Sequence, residues 1–158
     1  MVDQISKDHF LEAFLSLMTE TFENSRAGYL DRGTSIFETL ATITAEEASQ
    51  PVSADCATIA AHVAHMTVAL DFSLHLFRGE RLQVDWGEIW RTVREVTDKE
   101  WRASQERLRE TYVAFCEQAR NASWGNAKEI VDAMEVLAHN AYHLGEIRHA
   151  LCTIKPDR

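Results

Sequence analysis

Proline is nearly absent from this chain. The two that occur, Pro51 and Pro156, lie outside the long stretches of regular hydrophobic spacing. A chain this poor in helix breakers, with glycine also scarce, leaves those stretches free to be helical from end to end. Cysteine is scarce too: Cys56, Cys116 and Cys152 are odd in number, and no two have CxxC spacing. That excludes both a disulfide framework and a zinc ribbon. It predicts reduced thiols, each packed as a small hydrophobe, in a cytoplasmic protein. Positive charge is in the minority, with 16 basic against 25 acidic side chains and a formal net charge of −9. This argues against nucleic-acid binding, which needs a basic face to neutralise phosphates. The first ten residues, MVDQISKDHF, lack a basic region followed by an apolar run, so no signal peptide is expected. No run approaches 18 uncharged apolar residues, so no membrane span is expected either.

What remains is 158 residues with 46% hydrophobic content, which suits a single domain over 1–158 with one core. Phe10, Phe14, Leu17, Met18 and Phe22 recur at helical spacing and predict a first long helix from about Lys7 to Asn24, with Ser6 as its N-cap. Thr34 is expected to cap a short helix running to Thr42, and Thr44 another over Ala45 to Ser49. A second long helix is expected from about Ala54 to Arg78, stopped by Gly79. Ile59, Val63, Met66, Leu70, Phe72, Leu74 and Leu76 make it apolar on more than one face, which places it centrally. Trp86, Ile89, Trp90 and Val93 predict a short helix. Thr97 and Glu100 have the spacing of a capping box that opens a third long helix to about Asn121, with Trp101, Leu108, Tyr112 and Phe115 at core positions. Asn126 and Glu129 open a fourth in the same way, reaching about Thr153. The fold class is all-α, a four-helix bundle.

The chemistry concentrates in histidine. In AHNAYHLGEIRHAL, His139 and His143 stand four residues apart, so both imidazoles lie on one helix face, one turn apart. Neutral imidazoles so placed can chelate a divalent transition metal. The same spacing also fits two histidines on a solvated polar stripe. On a helical wheel they share a narrow stripe with Asp132, Glu135 and Glu146, beside an apolar stripe of Ala133, Leu137, Leu144, Ile147 and Leu151. That puts them at the border of the core. His65 lies in TIAAHVAHMTVAL on a face with Thr58, Ala69, Phe72 and Leu76. A histidine buried there needs a hydrogen-bond partner or a metal. If the second and fourth helices pack together, His65, His139 and His143 converge. Three protein ligands with an open position are the usual make-up of a catalytic zinc site.

His62, one turn before His65 and rotated by about 60°, replaces His65, adds a fourth ligand or faces solvent. His65 is preferred. Glu146, three residues after His143, is a candidate catalytic base, a hydrogen-bond acceptor for a ligating imidazole, or a ligand. Tyr142 is expected to pack. His9, His75 and His149 have no matching partners. HExxH, GxSxG and a P-loop are absent, as is the repeated ExxH pattern of di-iron bundles.

These residues together resemble the DinB-like (YfiT-like) metal-binding four-helix bundles. TIAAHVAHMTVAL is similar to the family's helix-two histidine motif, with His65 in place. HNAYHLGEIRHAL is similar to its C-terminal HxxxHxGQI signature, matched by His139, His143, Gly145 and Ile147. FRGE and DWGEIW fit the linker between them. The resemblance covers nearly the whole chain. It departs at Glu146, where glutamine is common. It implies an up-down-down-up bundle with a long crossover between the first and second long helices. It also implies a divalent metal, zinc or nickel, on His65, His139 and His143, and a homodimer.

Some members are transferases or isomerases that use a low-molecular-weight thiol such as bacillithiol or mycothiol. The resulting expectation is a metal-dependent enzyme, either a thiol-dependent S-transferase or a hydrolase, acting on a small molecule, with no nucleic-acid or membrane partner. Two alternatives stand beside it. In one the bundle is a non-catalytic stress-response protein whose metal is structural or sensory. In the other the site carries no metal in the cell.

Overall fold

The computed structural model describes residues 5–155. Among them there are seven helices and no strand: α1 Lys7–Phe22, α2 Ile36–Leu40, α3 Ala45–Ser49, α4 Ile59–Phe77, α5 Trp86–Thr92, α6 Asp98–Asn121 and α7 Ala127–Ile154. The four long ones, α1, α4, α6 and α7, are the four expected from periodicity.

Local chemistry explains where they start. Ser6, Thr44, Thr97 and Asn126 each accept a hydrogen bond from a backbone N–H in the first turn of α1, α3, α6 and α7. Two expected boundaries move. Ser35, not Thr34, caps α2, because Glu38 three residues on completes a reciprocal capping box with Ser35, while the residue three past Thr34 is Phe37. The helix ends at Leu40 instead of Thr42. The second long helix begins at Ile59 rather than near Ala54, because Thr58 accepts from Ala61 N and fixes the start. It stops at Gly79, whose φ of 74° is the left-handed conformation that glycine adopts without strain. The Glu80 N–H then reaches back to the His75 carbonyl at 2.9 Å.

The main contacts flank α1 with α6 and α7, and flank α4 with the same two helices. The core between them includes Phe14, Met18, Phe22, Ile59, Val63, Met66, Leu70, Leu108, Phe115, Leu144 and Ile147. Trp101, Leu108, Tyr112 and Phe115 are buried on α6 as expected, whereas Leu17 on α1 and Leu76 on α4 are 40% and 46% exposed. α4 is long and apolar enough, by length and composition, to cross a membrane. The same property suits a central core helix, and here α4 packs against α3, α5, α6 and α7.

The crossover from α1 to α4 carries α2 and α3 and is tied down by polar contacts. Glu20 is buried and takes the backbone N–H groups of Gly28, Tyr29 and Leu30 at 2.8, 3.0 and 3.2 Å. A Cβ on Gly28 would stand 2.5 Å from that carboxylate, so a larger residue there would have to displace the Glu20 side chain from these contacts. Trp101 Nε1 donates to the Ile43 carbonyl at 2.8 Å, joining α6 to the crossover.

The cysteines divide. Cys116 is buried and burial raises its thiol to a pKa of about 11, but Cys56 and Cys152 are exposed, contrary to the packed role expected of all three.

Candidate metal centre between α4 and α7

α4 and α7 lie side by side, and their facing surfaces carry four imidazoles. His65 and His143 are buried, at 8% and 5% exposure, and His139 and His62 are half-buried. The structure brings His65, His139 and His143 together: one ring nitrogen from each lies within 4.8 Å of the others. Ring centroids are 5.0 Å apart for His65 and His139, 4.8 Å for His65 and His143, and 4.4 Å for His139 and His143. Nitrogens bound to one tetrahedral zinc stand about 3.3 Å apart, given bonds of about 2.0–2.1 Å.

Two observations bear on whether a metal suits these residues. First, His65 Nδ1 and His139 Nε2 are buried and have no hydrogen-bond partner. An unpaired buried polar atom costs about 1–3 kcal/mol, so such atoms normally have a partner. Second, the rings are held neutral. Burial, and then the neighbouring His139 and His62, lower His65 to a pKa of about 4. Burial and repulsion from His139, His62 and His65 lower His143 to about 3. Burial also lowers His139. A neutral imidazole offers the lone pair that a metal needs. The donor set, all nitrogen, suits zinc or nickel better than calcium or magnesium.

His62 belongs to the cluster but in another position. Its Nδ1 lies 3.0 Å from His143 Nδ1, a hydrogen-bond distance. It falls outside the three-nitrogen group. Burial lowers the His62 pKa, and the Glu146 carboxylate acts in the opposite direction. Glu146 is exposed and also falls outside the three-nitrogen group.

The short helix α5 covers the cluster, a role that its sequence alone did not announce. Trp90 packs on His65 with centroids 4.5 Å apart and on His62 at 5.4 Å, and Trp86 meets the edge of His65 at 5.7 Å. The i, i+4 spacing of the two tryptophans was the available signal. Asp85 starts α5 by accepting from Gly87 N at 2.9 Å, and the Thr58 hydroxyl, at the N-cap of α4, donates to the Val93 carbonyl at its far end.

Clefts open on both sides. One, of about 390 Å³, is lined by His65 and His139 together with Phe72, Leu76, Trp86 and Val136. The other, of about 520 Å³, is lined by His62, His143, Trp90, Arg94, Tyr142, Glu146 and His149. Tyr142, expected to pack, is 62% exposed and touches His143 by its ring, with centroids 5.2 Å apart. His149 shares the second cleft, His75 pairs with Asp71 and Glu80 on the surface, and His9 is exposed. Comparison with protein-family models, curated proteins and solved structures gives no match for this chain.

Proposed function

We propose that this chain is a divalent-metal protein of the DinB-like kind, in which His65, His139 and His143 hold zinc or nickel, and that it is a metal-dependent enzyme acting on a small molecule. The observation that carries the reading is the convergence of three neutral imidazoles, two with a buried and unpartnered nitrogen, at the junction of α4 and α7. When bound, such an ion supplies Lewis acidity, which suits either S-transfer from a low-molecular-weight thiol or hydrolysis.

The chain's own residues have separate tasks. On this reading His62 Nδ1 accepts from the His143 Nδ1–H, which sets the ring's orientation and tautomer and leaves the lone pair on His143 Nε2 free. Glu146 raises the proton affinity of His62 and is the candidate proton acceptor on the side of the larger cleft. Trp86 and Trp90 limit water on the α5 side. The clefts flanking the histidines have the size of small-molecule sites and favour an enzyme over a purely structural ion. On the same reading the long helices run up-down-down-up, and the protein is a cytoplasmic homodimer that binds neither nucleic acid nor membrane.

One observation favours a second reading, a non-catalytic bundle with a structural or sensory metal. The three histidines come from two different helices, so an ion would staple α4 to α7. Metal that raises the melting temperature, with no turnover against panels of thiols with electrophiles and of hydrolysable esters and amides, would select it.

Elemental analysis of untagged protein, beside the double variant His65→Ala, His139→Ala, tests the site itself. Near-stoichiometric zinc or nickel that is lost in the variant is expected. No metal after incubation with both ions, or equal metal in the variant, would overturn it.

A further inference from the structure

We infer that the smaller cleft beside the histidines is the recognition site for an organic amine, a cationic group on an aromatic or branched apolar body. The cleft's walls are apolar, with Phe72 and Leu76 from α4 facing Trp86 of α5. The rings of Phe72 and Trp86 meet edge to face with centroids 5.3 Å apart, and Trp86 is 39% exposed. A cleft of about 390 Å³ holds a body of roughly benzyl size.

The polar groups select what that body carries. Asn140 lines the cleft and is 1% exposed. Its Nδ2 donates to the Val136 carbonyl at 2.8 Å, which fixes the amide so that Oδ1 is the free atom. Oδ1 is buried without a partner. An amide oxygen only accepts, so a ligand that satisfies it must bring an N–H or O–H. Asp132 and Glu135 supply the remaining charge of the lining, and no lysine or arginine lines the cleft. Asp132 is engaged by Lys128 at 2.5 Å, which leaves Glu135 as the exposed carboxylate. An anion therefore meets repulsion and finds no donor from a charged side chain. A cation meets a carboxylate, a buried acceptor and two aromatic rings.

The inference concerns the metal-free chain, since a divalent ion on His65 and His139 would add positive charge to the same lining and oppose an amine, and its test is independent of the metal. The chain is kept metal-free in chelator at about pH 8, where histidine is neutral and a primary alkylamine charged. Benzylammonium, benzyl alcohol and benzoate are titrated separately, followed by backbone amide chemical shifts. Benzylammonium is expected to bind saturably, shifting the amides of Phe72, Trp86 and Asn140, with benzoate weaker by tenfold or more. Glu135→Gln, an exposed change, is expected to weaken benzylammonium about three- to tenfold at an unchanged melting temperature. Asn140→Leu is expected to weaken both the amine and the alcohol. Because this second variant risks the fold, the Glu135 variant and the order of the three ligands carry the test. Benzoate binding as tightly as the amine, or amine shifts confined to the opposite cleft, would overturn the inference. Loss of the metal site by elemental analysis would leave it standing.

Discussion

The buried histidines make the metal-free protein sensitive to mild acid, and the size of the effect follows from the site. His65 and His143 fall from an ordinary 6.5 to about 4 and about 3. In the unfolded chain both titrate near 6.5, so between that value and the folded ones the unfolded state binds more protons and stability falls as pH falls. At pH 7 the contribution is nearly intact. At pH 5 each ring disfavours folding by about 2 kcal/mol. The pair titrates as a coupled set, so the joint loss is about 2–4 kcal/mol, or on the order of 10 °C in melting temperature for a domain this size.

Carboxylates contribute in a separate window. Hydrogen bonds to Leu30 and Ser35 hold Glu20 and Glu38 below their usual 4.5, and their stabilisation is lost only as pH falls below that value. Chemical denaturation in chelator at intervals from pH 7.5 to 5 isolates the histidines. The double variant His65→Gln, His143→Gln should weaken the dependence in that range, leaving what the half-buried His62 and His139 contribute, whatever its stability at pH 7.5. A wild-type stability that is constant from pH 7 to 5 would mean that the rings are solvated and charged in the folded chain, and the neutral cluster would be refuted.

Three further outcomes follow from individual contacts. His62→Ala should weaken zinc affinity about 10–100-fold through loss of the contact to His143 Nδ1, with partial recovery in His62→Gln; competition against a chromophoric chelator reads this. Thr58→Ala removes the N-cap that fixes the start of α4 and should cost about 1 kcal/mol in urea unfolding. Phe115→Ala, at a fully buried ring that meets Phe14 and Phe77, should cost about 3–5 kcal/mol by the same measurement.

The helices were legible because their signals are local. Ser6, Thr44, Thr97 and Asn126 stand immediately before periodic apolar runs, and the structure starts helices after each of them. The boundaries that moved lie where hydroxyl side chains compete. Thr34 and Ser35 are adjacent, and only the glutamate at position 38 distinguishes them. From Ser53 to Thr58 there is no apolar period to say where a helix begins. The one-turn spacing of His139 and His143 was likewise local. Their meeting with His65 depends on how α4 and α7 are rotated about their axes, which the apolar stripes of both helices indicated. The finer placement of His62 against His143, and of Trp86 and Trp90 over the cluster, depends on packing between separate helices, and the i, i+4 spacing of the tryptophans marks a shared face without saying what it packs on. The same limit explains Leu17, Leu76 and Tyr142. Each has the composition of a core residue, but the packing leaves it well exposed.

X-ray absorption at the zinc edge, on protein loaded with one equivalent of zinc, tests the central claim most directly. The account predicts a nitrogen and oxygen shell at about 2.0–2.1 Å with the multiple scattering of three imidazoles, reduced to two in His139→Ala. A sulfur shell at about 2.3 Å, or a spectrum with no imidazole scattering, would place the ion elsewhere and contradict it.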